Sequence, residues 1–358
     1  MTFKLLSKAA LALAAMGLCL SAASAAYKSE YKLSVVPGAS SGWGQTATFF
    51  ADCVRQKSNG RINIKPYFGA QLMAGKQTSE LLLVRRGAID FALASTINWS
   101  PQIKELNLTA LPFFVANNPD RYKAIDAIEA GKSGKMLEKA IEKTGVKFGW
   151  SENGFRELTT SKGPIEKPED MKGMKLRVCG TPIFIDIFSS LGANPQAINW
   201  SEAVTGFQQG IVDGQENPTN GINVPTKVWQ WHKYSTDWHY MIDPLFFTAN
   251  MKVWKEFSPE DQKLILSCAT EAEKYGKALS RLSNDNGQAY EYLKSINKLP
   301  AITNPKEELK KNGMTVTEYT PEMIKRFYEA TAGVRADWTQ KIGPNVVKAA
   351  EEDMQAAK

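Results

Sequence analysis

Two arginines and one asparagine carry the most suggestive chemistry in this chain of 358 residues. Arg156 ends the run Asn153-Gly-Phe-Arg156, Arg177 ends Met174-Lys-Leu-Arg177, and Asn217 precedes Pro218 in Asp213-Gly-Gln-Glu-Asn217-Pro218. Both arginines stand beside apolar, strand-like residues. A guanidinium is always charged and offers a planar fork of donors that matches a carboxylate or sulfonate bidentately. An asparagine amide both donates and accepts. The three are expected to converge on one small organic anion, which describes a binder with no chemistry of its own. The bland alternative for each arginine is a surface ion pair with Glu157 or Asp170.

Other patterns weigh less. Gly38-Ala-Ser-Ser-Gly42 fits the nucleophile-elbow spacing between a strand and a helix. However, His232 and His239 are the only bases on offer, and more than a hundred residues follow them, whereas that fold places its histidine late. The loop is therefore read as Gly/Ser backbone and hydroxyls facing a ligand. Gly131-Lys-Ser133 resembles the end of a phosphate loop, but Asp126 occupies the place of the required first glycine. His232 and His239, with Asp237 and Asp243 nearby, lack zinc spacing, so no metal is expected. Trp229, Trp231 and Trp238 are read as core and hinge packing. Cys53, Cys179 and Cys268 form no CxxC and spacing selects no pair, so buried free thiols are expected.

The elements that must position these residues alternate. Tyr31–Val36, Ile62–Ile64 and Ile89–Leu93 read as strands, with helices over Gln45–Lys57 and Thr78–Arg86. That order argues for a parallel sheet with crossover helices. Ligands bind beyond the carboxyl ends of such strands, which singles out the loops Pro37–Trp43, Gly69–Lys76 and Ser95–Trp99. Helices follow over Pro119–Ile141, then a strand at Val146–Trp150. The alternation restarts with a strand at Leu176–Val178, a helix at Ile183–Leu191, a short strand at Ala197–Trp200 and a helix capped by Ser201. Val212-Asp-Gly then turns into a loop carrying Asn217. A long helical tract starts at Ser258-Pro and runs towards Ile296, long enough to lie along both halves.

Lys4 and Lys8, the apolar Ala9–Leu20 and Ala23-Ser-Ala25 read as an export signal cleaved after Ala25. The apolar run is too short to span a bilayer, and no later stretch qualifies. Losing that segment lowers the formal charge from +7 to +5, a mild excess with no block of like charges, so nucleic acid is not an expected partner. A mature chain of about 330 residues suggests two domains.

Taken in order, Trp150–Ser161, Pro164-Ile165, Pro168–Gly173, Lys175–Val178, Leu191-Gly-Ala193 and Asp213–Pro218 form a set that resembles the DctP-type solute-binding proteins of tripartite ATP-independent periplasmic (TRAP) transporters. The likeness extends back through Ser58–Arg61, Gly69–Leu72, Gly87–Asp90 and Leu111-Pro112, and forward through Phe257–Asp261. It implies an α/β fold of two lobes, each a mixed or parallel sheet flanked by helices, with a long helix spanning both. The implied lobes are 26–152 with about 242–281, and 153–241 with about 282–340, followed by a helical tail at 341–358. The resemblance assigns the ligand's anionic group to Arg177, with Arg156 and Asn217 assisting. It lines the rest of the pocket with Trp200, Gly180, Thr181, Ser95, Asn98 and the loop Val36–Trp43. It further implies a periplasmic location, no cofactor, and delivery to DctQ-like and DctM-like membrane subunits driven by an ion gradient.

The chain departs from common relatives at Cys179-Gly180, where proline is frequent, and in an uncharged Ser95–Trp99 loop. Those departures favour a compact carboxylate or a small sulfonate such as isethionate over a sugar acid as large as sialic acid. An ABC-type binding protein shares the two-lobe logic, and a periplasmic hydrolase using Ser40 is the enzymatic alternative.

Overall fold

The computed structural model describes residues 27–116 and 118–357, so the expected export signal lies outside the described residues. The first half opens with β1 (Tyr31–Ser34), α1 (Gly42–Lys57), β2 (Ile64–Tyr67), α2 (Glu80–Arg86), β3 (Phe91–Ser95) and the single turn α3 (Thr96–Trp99). As the alternation requires, β1 runs parallel to both β2 and β3. After α4 (Arg121–Ala130) and α5 (Lys132–Glu142) comes β4 (Val146–Thr160), a strand far longer than the expected Val146–Trp150.

The second half follows as β5 (Lys175–Val178), α6 (Pro182–Ser190), β6 (Asn194–Ala197), α7 (Trp200–Gln208), β7 (Gly214–Pro218) and β8 (Tyr234–Asp237). Two expectations change here. Trp200 opens a helix instead of ending a strand. The acidic Gly-containing stretch at Asp213–Pro218 is no loop but a buried strand between β4 and β5. Its polar residues are buried because sheet neighbours take up their backbone groups and each side chain finds a partner. Period-2 patterning cannot register that.

Then β9 (Ile242–Ala249) returns to the first half, followed by α8 (Met251–Trp254) and α9 (Pro259–Arg281). The strand order is β2-β1-β3-β9-β4-β7-β5-β6, with β8 pairing β4 and β10 (Thr315–Glu318) pairing β8. The long strand β4 belongs to both halves. Its early residues pair antiparallel with β9 up to Phe155, and Arg156–Thr160 pair antiparallel with β7. The register slips between Glu152 and Gly154, and Gly154 holds φ +111°, a conformation open to glycine without strain. Two lobes are thus joined by crossing strands with an irregularity at the junction.

Helix α9 is capped by Ser258, whose Oγ accepts from Asp261 N, with Pro259 at its first position. It packs on α1 and β4 of the first lobe and reaches the turn at Thr219–Asn223 of the second. The helical tract does not run on to Ile296. It breaks after Arg281 in a turn where Ser283, Asn286 and Gly287 have positive φ, and resumes as α10 (Gln288–Ser295). The chain ends in α11 (Pro305–Lys311), α12 (Pro321–Ala330), α13 (Ala332–Ile342) and α14 (Pro344–Ala356), the last packing on α4 and α5. The amides of Lys132 and Ser133 donate to the Asp353 carboxylate of α14 at 3.0 and 2.8 Å, so a carboxylate fills the loop whose sequence hinted at phosphate.

The expectation of free thiols fails for two cysteines. Cys53 on α1 and Cys268 on α9 form a disulfide with Cα atoms 5.7 Å apart, and Cys179 remains a buried free thiol. The pair is 215 residues apart in sequence, and only the side-by-side packing of the two helices brings it within bonding reach.

Candidate ligand-binding site

The carboxyl ends of β3 and β5, the start of α7 and the crossing strands β4, β7 and β9 line a small cavity of about 30 Å³. Seven of the nine residues expected at the site line it. Trp43, Ser95 and Asn98 come from the first lobe, Arg177, Trp200 and Asn217 from the second, and Arg156 from the crossing strand. Gly180 and Thr181 do not line it. Gly180 lies against the Thr78 side chain, and Thr181 Oγ1 donates to Ile97 O across the lobes at 3.0 Å. Both residues belong to the seam, because β5 ends at Val178 and the chain has already turned outward by Gly180.

The two arginines sit in opposite environments. The Arg156 guanidinium is buried and held at all three nitrogens. Its Nε and Nη2 donate to the Glu216 carboxylate, Nη2 also reaches Glu216 O at 2.8 Å and Asn217 Oδ1 at 3.0 Å, and Nη1 donates to Asp243 Oδ2 at 3.2 Å. Burial works against its charge, but Glu216 and Asp243 outweigh that and hold its pKa above the ordinary arginine value. Trp238 Nε1 donates to Arg156 O at 3.1 Å, fixing the backbone that aims the side chain.

Arg177 is just as buried and nearly unpartnered. Nε donates to Ile198 O at 2.9 Å, the Trp200 ring lies 5.5 Å from the guanidinium carbon, and Nη2 has no hydrogen-bond partner. Burial without a carboxylate pushes its pKa down to about 10. It therefore stays cationic near neutrality, at a cost of several kcal/mol while uncompensated.

Asn217 contributes less freedom than its type suggests. Its Oδ1 is taken by Arg156, and its Nδ2 donates to Gln215 Oε1. Trp43 spends its indole N–H on Leu93 O at 2.7 Å and offers only a ring face. Ser95 Oγ donates to Asp243 Oδ1 at 2.7 Å. Cys179 also lines the cavity, and burial pushes its thiol up to about 11, so it is an uncharged wall.

Sequence reasoning missed Gln77 and Asp243. Gln77 follows the loop singled out at Gly69–Lys76. Its Nε2 donates to Asn98 Oδ1 at 2.7 Å, and its Oε1 accepts from Trp200 N at 2.8 Å. The first amides of a helix have no partner within it, so a side chain of the first lobe caps a helix of the second. Ser201 Oγ donates to Gly75 O at 3.3 Å nearby. With Thr181, these bonds close the lobes over the cavity. Asp243 was passed over as a stray acid near the histidines. A lone charge within the apolar run of β9 was the available signal.

The remaining candidates fall elsewhere. Ser40 is exposed, outside the cavity walls. His232 hydrogen-bonds Thr159 Oγ1 through Nδ1 at 2.8 Å, and burial lowers it to about 4, so it is a neutral core residue. His239 lies on the opposite face of β4, bonded through Nδ1 to Glu157 and 3.0 Å from Asp237, which also pairs with Lys306. Trp238 packs among Phe113, Phe188, Tyr240 and Phe327 as core.

Comparison with known proteins bears on the fold and the family. Residues 33–341 match the family model described as bacterial extracellular solute-binding protein, family 7 (DctP). A TRAP periplasmic solute-binding protein from Ralstonia eutropha H16, solved with bound (S)-2-hydroxy-2-methyl-3-oxobutanoate, is 42% identical with a TM-score of 0.83, covering 92% of this chain and 100% of that one. The 2,3-diketo-L-gulonate-binding periplasmic protein YiaO of Escherichia coli K12 is 30% identical over 64% of this chain and 68% of its own length. The C4-dicarboxylate-binding periplasmic protein DctP of Rhodobacter capsulatus is 23% identical over 92% of this chain and 89% of its own. Nearly the whole described chain shares that family's fold and its model, and the chain belongs to the DctP family of TRAP solute-binding proteins.

Proposed function

We propose that this protein captures a compact carboxylate outside the cytoplasm and delivers it to the membrane subunits of a TRAP transporter. The observation that carries the reading is Arg177, a buried guanidinium with an unpartnered Nη2 on the wall of a cavity closed from both lobes. A carboxylate there completes a charge-assisted pair in surroundings of low dielectric, where the attraction is strongest. Closure around an empty cavity leaves that cation uncompensated, so ligand binding biases the lobes towards closure. The hinge follows the crossing strands near Gly154, with 26–152 and about 242–281 moving against 153–241 and about 282–340. Membrane subunits that read the closed shape then receive only loaded protein.

Between the two head groups expected from the sequence, a carboxylate has the better support, since the 42%-identical relative holds a five-carbon hydroxy-oxo acid. The uncharged walls from Trp43, Ile97, Cys179 and Trp200 suit a compact ligand with one charged end. Replacing Arg177 by lysine keeps a charge but loses the planar fork, and is expected to weaken binding at least tenfold, or about 1.4 kcal/mol. Calorimetry with (S)-2-acetolactate and related acids checks this; an unchanged affinity removes Arg177 from the site.

A further inference from the structure

The donors and acceptors around the cavity are unevenly spent, and the imbalance specifies the far end of the ligand. Arg156 and Arg177 are the only cations among the residues lining the cavity. Arg156 is already held by Glu216 and Asp243, leaving no guanidinium free for a second anionic group. Several neutral donors are committed too. Ser95 donates to Asp243, Trp43 to Leu93 O, and the Gln77 amide to Asn98. What remains around β9 is acceptor capacity. The Asp243 carboxylate forms part of the wall, and Asn153, whose Nδ2 donates to Asp243 at 3.0 Å, keeps a buried Oδ1 with no partner. A carboxylate accepts at about four lone-pair positions, and Asp243 receives three donors from Ser95, Asn153 and Arg156. Room is left for one more.

We propose that Asp243 is a specificity-determining residue that restricts the ligand to a single anionic group on Arg177 and receives an uncharged hydroxyl at the other end. This rests on the reading of Arg177 as the anchor. A second carboxylate would meet Asp243 head on with no free cation beside it, and like charges placed together out of water repel strongly. A hydroxyl at that place donates to an acceptor that is otherwise left short. Charge is a live distinction in this family, since one relative bears the name of a C4-dicarboxylate-binding protein. Asp243 thereby acts twice, balancing Arg156 and screening what lies opposite Arg177.

The test is calorimetric titration of the purified protein with (S)-2-acetolactate, 2-hydroxyisobutyrate, isobutyrate and succinate. The expected result is that the better hydroxy monoacid binds at least tenfold more tightly than both isobutyrate and succinate. Asp243→Asn, which keeps the shape and removes the charge, should narrow the gap to succinate at least tenfold. Wild-type protein that binds succinate as tightly as the hydroxy acids overturns the proposal without any variant. So does a folded Asp243→Asn protein, checked by its melting curve, that retains the full gap. Failure of all four acids to bind wild-type protein overturns the anchor reading and this one together, whereas equal binding of mono- and diacids overturns only the role of Asp243.

Discussion

Arg156 and Arg177 share one cavity and one residue type, yet the protein treats them in opposite ways. The crossing strand β4 delivers Arg156 into a ready-made set of acids and carbonyls, so its charge is satisfied before any ligand arrives. The second lobe's β5 delivers Arg177 to a place with one carbonyl and one indole ring. The first arrangement is structural. The second leaves a guanidinium nitrogen without a partner, which is what the proposed ligand would supply. Burial of a charge therefore says little about its role until its partners are counted.

The sharpest way to break this contrast is to replace each arginine by methionine. Arg156→Met strands Glu216 and Asp243 in the interior and is expected to cost about 3–5 kcal/mol of stability, seen as a large fall in melting temperature. Arg177→Met removes a buried cation with no acidic partner, so the ligand-free protein should melt no lower than wild type while binding of small carboxylates is lost. Equal destabilisation by the two changes would erase the distinction.

A third buried charged residue extends the comparison to a carboxylate. Glu80 lies under the first lobe's share of the site, accepting from Ser34 Oγ at 2.5 Å and Trp99 Nε1 at 3.0 Å with no cation beside it. Burial raises its pKa from 4.5 to about 7 against the pull of those two donors. The folded state thus holds the proton more tightly than the unfolded chain. Its contribution is complete below pH 4.5 and is lost as pH climbs through 7, a decline on the order of 3 kcal/mol. Glu80→Gln should remove that decline, so its melting temperature above pH 7 exceeds that of wild type. Parallel pH profiles for the two proteins would assign the dependence to another group.

The smallest effect tests the seam. Gln77→Leu removes two hydrogen bonds that link Asn98 to the start of α7. At about 0.5–1.5 kcal/mol each, this should weaken ligand binding roughly 5- to 150-fold, mainly through faster release. Stopped-flow release rates check it, and an unchanged rate would show that the bonds do not hold the closed form.

Much of the architecture was legible because local rules and the order of motifs agreed. The strand–helix alternation of the first lobe and the Ser258-Pro259 helix start matched the folded chain, and the motif series from Trp150 to Pro218 pointed to the family whose model the chain matches. Less legible were elements whose burial comes from polar pairing. Gly214–Pro218 reads as a turn by composition, yet forms a central strand because Gln215, Glu216 and Asn217 are bonded to Thr159, Arg156 and Asn223 or to one another. The break after Arg281 was missed for a related reason, since Asn and Gly at the turn hold positive φ in a tract whose apolar spacing continues past it.

Taken alone, the amino-acid sequence determined the fold class, the two-lobe plan and two arginines that line one cavity, because residue type and order decide which elements form and in what succession. Tertiary structure alone decided which arginine is free, that Cys53 meets Cys268, that Gln77 crosses the seam, and that Asp243 faces the cavity. Those outcomes depend on partners 60 to 215 residues away, as with Arg156 and Glu216 or the two bonded cysteines. Electrostatic pairing is a property of distance in space, and sequence spacing carries almost no record of it.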